Sequence, residues 1–178
     1  FRRPQRNRDI RVGITVELAD TLVDQTRDIV IQTSTGHKES IKVQIPRGVV
    51  DGANVRYPGF GDNSDPRLPR GDLYVQFNVR PDPRYHIQDI HLIYPIEINA
   101  IDAMLGTNID VPGLDKKIFT VNVPAGSQHG SKFRIQAQGL WAMGNPVRGN
   151  LIVEISVAIP RNLTPDQVKL LETLKTTL

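Results

Sequence analysis

The sequence contains no cysteine, few aromatic residues and no long apolar run. The lack of cysteine excludes disulfide bonds and thiolate metal sites, and a reducing compartment, the cytoplasm, is the expected location. No apolar segment approaches the ~20 residues that a membrane helix requires, so we expect no membrane partner. Aromatic residues make up 6% of the chain, which predicts hydrophobic cores of modest size.

Motifs of common enzyme classes are also missing. The sequence has no Gly-x-Ser-x-Gly elbow, no P-loop and no dinucleotide-binding glycine fingerprint, and no set of acid, base and nucleophile stands out. His86 and His91 lack the spacing of metal ligands, and Asp62, Ser64 and Asp65 lack the distal Glu of a calcium loop. We therefore expect a protein that is not an enzyme and that holds no metal or cofactor.

The net charge of +3 is concentrated at the start of the chain. Five arginines and one aspartate give the first eleven residues a charge of +4, and the remaining 17 basic and 18 acidic residues give −1. A basic surface across the folded part, typical of phosphate-binding proteins, is therefore not predicted. Residues 1 to 8 are interpreted as the end of a solvated linker. Because the chain starts with Phe and not Met, we expect a fragment or a processed product.

A 39-residue segment of the sequence occurs twice. Residues 41 to 79 match residues 119 to 157 at 11 positions without a gap, at a constant offset of 78 residues. Five of the 11 identities are Gly or Pro, so the repeated feature is a set of turns. Apolar and polar residues alternate in segments 10 to 18 and 90 to 98, as in strands with one buried face. The sequence predicts a mainly β protein with two tandem β-sandwich-like domains of repeated topology, each with a short helix.

Prolines and the end of the repeat set the expected domain boundaries. Pro81 and Pro83 disfavour a helix across the junction, which predicts a first domain over residues 9 to 80 and a second over residues 81 to 160. The remaining residues, 161 to 178, are predicted to form a helix at the end of the chain.

This last helix has a clear start and one apolar face. Thr164, Pro165 and Gln167 supply a capping hydroxyl, a first-turn proline and the partner residue of a capping box. A helix of about 14 residues is marginal alone in water, so its apolar face must pack on its own domain or on another copy of the chain. That face comprises Val168, Leu171, Leu174 and Leu178.

Short motifs occur in a fixed order along both halves of the chain. They are Ile45-Pro46-Arg47-Gly48, Gly59-Phe60-Gly61, Arg70-Gly71-Asp72-Leu73 and Asp82-Pro83-Arg84-Tyr85, followed by Ala103-Met104-Leu105-Gly106, Ile109-Asp110-Val111-Pro112-Gly113-Leu114-Asp115 and Val123-Pro124-Ala125-Gly126. Each motif is weak alone, but their order and spacing resemble the C-terminal region of DnaJ-type J-domain co-chaperones over nearly the whole chain. Lys116 departs from that pattern, because Gly usually follows the Leu-Asp pair.

The resemblance implies a dimeric clamp that binds exposed apolar segments of unfolded or non-native client proteins. In the intact protein, the clamp would deliver them to a DnaK-type chaperone, and the final helix would form the homodimer interface. No histidine of this chain precedes proline, so the His-Pro-Asp signature of a J-domain is absent and this polypeptide is not expected to stimulate an ATPase. Nine residues without cysteine separate Ile31 from Ile41, which is similar to the zinc-free class, class B.

In related proteins the client groove lies on the first C-terminal domain, between its opening strand and the neighbouring strand. Alternate residues on adjacent strands form an apolar stripe, and a sheet edge accepts an extended peptide by main-chain pairing. The resemblance places the lining on Val16, Leu18, Ile29, Ile31 and Val75, with Arg27 at the rim. Taken one at a time, these five apolar residues are more typical of an ordinary core, and it is the resemblance that marks them as a group.

Two other functions stay open from the residues alone. A nucleic-acid or anion-binding module that uses the Arg-rich tail predicts a steep loss of affinity with salt. A structural assembly protein of tandem β domains predicts no peptide binding and an oligomer larger than a dimer.

Overall fold

A computed structural model describes residues 5 to 177. In that part of the chain, the elements are β1 (Ile10–Glu17), a 3₁₀ helix (Leu18–Leu22), β2 (Gln25–Gln32), β3 (Lys38–Ile45), β4 (Asn54–Tyr57), β5 (Leu73–Arg80), β6 (His86–Gln88), β7 (His91–Asn99), α1 (Ala100–Leu105), β8 (Thr107–Pro112), β9 (Ile118–Val123), β10 (Lys132–Ile135), β11 (Leu151–Ala158) and α2 (Pro165–Lys175). The protein is mainly β, which confirms the predicted fold class.

The first and last long strands of each half of the chain lie side by side. β1 pairs with β5 in parallel, from Ile10 opposite Leu73 to Glu17 opposite Arg80, and β4 pairs with the other edge of β5. β7 and β11 form the equivalent parallel pair in the second half, flanked by β6 and β10. β2–β3 and β8–β9 are separate antiparallel hairpins. Each half therefore combines a small sheet with a hairpin.

Two clusters of buried apolar side chains fill the molecule. In the first cluster, Val75 and Phe77 of β5 pack with Ile29 and Ile31 of the β2–β3 hairpin. The second cluster belongs to the second half, but it also takes in Leu18 and Leu22 of the 3₁₀ helix. The 3₁₀ helix thus connects the two halves through packing, and the division into domains over residues 9 to 80 and 81 to 160 stays a proposal.

The repeat preserves hydrogen bonds as well as residue types. Arg70 Nε donates to the Gly61 carbonyl oxygen at 2.8 Å, and Arg148 Nε donates to the Gly139 carbonyl oxygen at 3.0 Å. In the same way, the Gly61 N–H donates to the Gly71 carbonyl (2.8 Å) and the Gly139 N–H to the Gly149 carbonyl (2.9 Å). These pairs are related by the offset found in the sequence, so the repeated glycines and arginines build the same turn twice.

At some repeated positions the hydrogen bond stays while the side chain changes. Asp51 Oδ1 accepts from the Val79 N–H at 2.8 Å, and His129 Nδ1 accepts from the Val157 N–H at 3.2 Å. An imidazole nitrogen that accepts a hydrogen bond carries no proton. Two different chemical groups therefore fix the last strand of the two halves.

Among residues 5 to 177, three residues other than glycine have left-handed backbone: Asp89, Lys116 and Ala137. Ala137 has a φ of 53° at the position equivalent to Gly59, whose φ is 72°. Lys116 has a φ of 67° in the turn between β8 and β9. The turn at Lys116 therefore has the left-handed conformation that glycine adopts most easily.

Among the first described residues, Asn7 is packed against the loop before β5, whereas Gln5, Arg6 and Arg8 are exposed. Asn7 is buried, and its Nδ2 donates to the Asp65 carbonyl oxygen at 2.9 Å. Arg6 forms an ion pair with Asp72, with 2.8 Å between Nη1 and the carboxylate. The solvated-linker interpretation of residues 1 to 8 does not hold for Asn7, because the loop before β5 offers main-chain acceptors that composition alone does not reveal.

Asp62 ties three segments of the first half together. Its carboxylate accepts from the Ser34 hydroxyl (2.6 Å), the Ser34 N–H (3.1 Å) and the Ser64 hydroxyl (2.6 Å). Its own N–H donates to the Arg8 carbonyl oxygen at 3.0 Å. The side-chain bonds from Ser34 and Ser64 lower the pKa of Asp62 from 3.8 to about 2.

Asp62→Asn is expected to destabilise the protein in a pH-dependent way. Because the folded-state pKa lies below the ordinary value, the stabilisation is fully present above about pH 4 and is lost as the pH falls through about 2. We expect a difference in unfolding free energy of about 2 kcal/mol between parent and variant at pH 7, shrinking towards zero near pH 2. Urea denaturation at several pH values measures it, and a difference independent of pH would contradict the assignment.

Candidate functional site

The outer edge of β1 has no strand partner in residues 5 to 177, because β1 ends its sheet. The Ile10 N–H donates to the Asp72 carbonyl next to β5, at 2.9 Å. Main-chain groups of successive strand residues point to opposite sides, so those of Arg11, Gly13 and Thr15 point to the outer edge. β1 therefore presents a row of main-chain donors and acceptors to an additional strand.

Arg27 of β2 reaches across to this edge. Its Nη1 donates to the Thr15 carbonyl oxygen at 2.8 Å, and its Nη2 lies 3.3 Å from the Asp20 carboxylate. β1 and β2 share no ladder and are joined here by the Arg27 side chain, and we name the region between residues 10–17 and 25–32 the strand cleft. Arg27, partly exposed, lies at its rim.

The apolar residues that the resemblance suggested for the groove are all buried. Four of them come together in the first core: Val16, Ile29, Ile31 and Val75. Leu18 is separate, because it starts the 3₁₀ helix and packs in the second core. In the described conformation, these side chains lie beneath the strand cleft or away from it.

Three apolar residues of β1 remain accessible, and sequence reasoning did not select them. Ile10, Val12 and Ile14 are half-buried and pack against the first core. They alternate with the free main-chain groups of Arg11 and Gly13. The signal was present in the sequence, since all three belong to the same alternating run as Val16.

The face of α2 offers a second apolar surface. Val168, Leu171 and Leu174 lie on the helix, and no residue of its described part is buried. Leu178 lies outside the described residues. Leu170, which sequence reasoning missed, is 71% exposed. The helix borders a cavity of about 470 Å³ that it shares with α1 and the end of β11, lined by Ile101, Met104, Ile159, Leu163, Leu170 and Leu171.

Other chemistries find little support in the described part of the chain. No group of three or more His, Cys, Asp or Glu side chains is placed there to hold a metal ion. None of its helices has the length and apolar character needed to cross a membrane. Arg6 of the tail is engaged by Asp72 and Asp9, and its pKa is raised by these carboxylates.

Comparison with known proteins gives a consistent result. The family model described as DnaJ C terminal domain matches residues 10 to 160. The proteins named Chaperone protein DnaJ of Acidiphilium cryptum and Rickettsia akari are both 33% identical to this chain, over 135 and 140 residues. The matched regions cover 76% and 78% of this chain but 35% and 38% of the two relatives. The chain thus spans little more than a third of the curated relatives that it matches.

Proposed function

The chain belongs to the DnaJ C-terminal domain family, and on that premise we propose that it is the client-binding and dimerisation part of a chaperone. The observation that carries the proposal is the outer edge of β1, which no strand within residues 5 to 177 covers, with partly accessible apolar side chains along it. The proposed ligand is an exposed apolar segment of an unfolded or non-native protein.

A client segment would extend the sheet of β1. Its main chain pairs with Arg11, Gly13 and Thr15, while alternate side chains lie against Ile10, Val12 and Ile14. Arg27 must release the Thr15 carbonyl for the strand to pair fully. The proposed role of the buried side chains is to pack β1 and β2 against the first core and so to fix the two sides of the strand cleft. These side chains are Val16, Ile29, Ile31 and Val75. Main-chain pairing makes affinity weakly dependent on client sequence.

The partners follow from the same proposal. The unburied face of α2 is assigned to a homodimer, so that two strand clefts act on one client with the gain in affinity that linked sites provide. Delivery to a DnaK-type chaperone is assigned to the intact protein. The role assigned to this chain is binding without catalysis.

Gly13→Pro tests the free edge directly. Proline removes the N–H of residue 13, which points away from β5, and places a ring where a client strand would pair. The hydrogen bonds to β5 are made by the even-numbered residues of β1, so this substitution does not remove them. We expect at least a tenfold loss in affinity for a fluorescent extended apolar peptide, measured by anisotropy. Gly13→Ala keeps the N–H and is the matched control, with affinity close to that of the parent.

Equal binding by Gly13→Pro and Gly13→Ala would remove the client site from β1. The salt dependence of binding separates the nucleic-acid alternative, since client binding through apolar contacts changes little between low and high salt. No peptide binding by the parent, together with an oligomer larger than a dimer, would favour the structural assembly protein.

A further inference from the structure

A polar depression lies on the outer face of the first sheet, on the side turned away from the first core. Residues opposite each other in a ladder share one side of a sheet, so two rows of side chains cross β1, β5 and β4 here. The rows are Arg11, Tyr74 and Arg56, followed by Gly13, Gln76 and Asn54. A cavity of about 520 Å³ is lined by both rows apart from Arg56, and by Val12. Gly13 leaves room for this cavity, because it has no side chain to fill the second row.

The lining of this depression offers hydrogen-bonding groups and no carboxylate. The Arg11 guanidinium lies 5.9 Å from the centre of the Tyr74 ring, and Arg11 belongs to no ion pair within residues 5 to 177. The amides of Gln76 and Asn54 each provide donors and an acceptor. Asp72 pairs with Arg56 at 2.7 Å and its side chain is only 5% exposed, so its charge is compensated and shielded. The face is therefore suited to a polar ligand that carries negative charge.

Stacking groups next to amides indicate which ligand of this kind fits. Aromatic rings and guanidinium planes stack on nucleobases, and side-chain amides form hydrogen bonds with base edges. Only unpaired bases expose both their faces and these edges, which favours a single strand over a duplex. The phosphates of such a strand require cations nearby, and the segment of charge +4 at the start of the chain ends at Arg11.

The equivalent face of the second sheet has a different character. Its two rows are Ile93, Ile152 and Arg134, followed by Pro95, Glu154 and Lys132. Glu154 lies 3.8 Å from Lys132, so this face carries a carboxylate where the first sheet carries Gln76. Because the same fold accepts apolar and acidic side chains at these positions, the polar depression is a property of the first half and not a requirement of the architecture.

We propose that the outer face of the first sheet binds single-stranded nucleic acid. Bases stack on Tyr74 and Arg11, and the amides of Gln76 and Asn54 bond to base edges. This site goes beyond the proposed client binding, which uses the side of β1 that carries Ile10 and Ile14. It also differs from binding through the Arg-rich tail, because phosphate contacts alone do not depend on an aromatic ring or an amide of β5.

The test measures the binding of a fluorescent adenylate RNA of about ten nucleotides to the whole chain by anisotropy. We expect Tyr74→Ile to lower the affinity roughly tenfold, since it removes the stacking ring and keeps a residue type that the second sheet holds at Ile152. Gln76→Glu should lower it by a similar factor, because it removes two donors and adds a negative charge. Gln136→Glu makes the same change at an exposed position after β10, and its affinity should stay within about twofold of the parent. Circular dichroism verifies that all three variants fold.

Parent affinity in Tyr74→Ile, or equal losses in Gln76→Glu and Gln136→Glu, would overturn the inference. It would also be overturned if only deletion of residues 1 to 4 reduced binding, if an RNA duplex bound as tightly as the single strand, or if the parent bound neither RNA nor the corresponding DNA. Equal binding of RNA and DNA supports contacts to bases and phosphates alone, and tighter binding of RNA supports an added contact to the 2′-hydroxyl. The apolar peptide should bind Tyr74→Ile as it binds the parent, so the client site is tested separately by Gly13→Pro.

Discussion

Gly71→Ala and Gly149→Ala are each expected to lower the free energy of unfolding by about 3 kcal/mol or more. A Cβ on Gly71 would overlap the carbonyl oxygen of Arg8, and a Cβ on Gly149 that of Ile90. Neither carbonyl can move freely, because Arg8 accepts from the Asp62 N–H (3.0 Å) and Ile90 from the Leu140 N–H (2.8 Å). The clash therefore breaks the start of β5 or β11.

Urea denaturation followed by circular dichroism measures this loss, with a fall in Tm of roughly 6 to 12 °C for a chain of this size. Gly13→Ala is the matched control within a strand. Its Cβ would meet the Asn78 Nδ2 at 3.4 Å, an ordinary contact, so its stability should stay close to that of the parent. If Gly71→Ala were as stable as the parent, the loop before β5 would have to move enough to accommodate the added Cβ, which would contradict the prediction.

Leu171→Gln/Leu174→Gln is expected to dissociate the proposed homodimer. Burial of four leucines, two from each copy, contributes roughly 1 to 1.5 kcal/mol per side chain, so their loss weakens association by a thousandfold or more. Sedimentation equilibrium compares this variant with Lys169→Gln/Glu172→Gln. The control places the same new residues on the opposite side of α2, and it should remain a dimer like the parent.

A double leucine variant that stays dimeric would place the interface outside α2. A parent chain that sediments as a monomer would remove the homodimer from the proposal. Client binding by one strand cleft would be unaffected by either result, because β1 and α2 are separate elements.

Local chemistry made the ends of the helices predictable. α1 covers Ala100–Leu105 and is the short helix expected in the second half, and α2 has the predicted capping box, with the Thr164 N–H donating to Gln167 Oε1 at 2.8 Å. The start of β2 at Gln25 is not visible in the sequence. Its first four residues contain no fully apolar side chain, so alternation in the sequence does not show that they pair with β3.

Leu18 shows why part of the candidate site could not be predicted. It continues the alternating run of Val12, Ile14 and Val16, so counting by two places it on the same inner face. The chain leaves the sheet at Glu17 and turns into a 3₁₀ helix, which directs Leu18 into the other core. The sequence does not reveal the free edge of β1 either, because that edge depends on which distant strand pairs with the other edge of β1.

The parallel pairing of β1 with β5 also bears on how the chain is made. Ile10 lies opposite Leu73, which is 63 residues later, and Leu92 lies opposite Leu151, which is 59 residues later. Such long-range pairs form slowly, because the chain loses the entropy of the intervening loop before it gains the contacts that offset this loss. The sheet of the first half cannot close until residue 80 has left the ribosome. Until then, its nascent strands expose the same kind of apolar segment that the finished protein is proposed to bind.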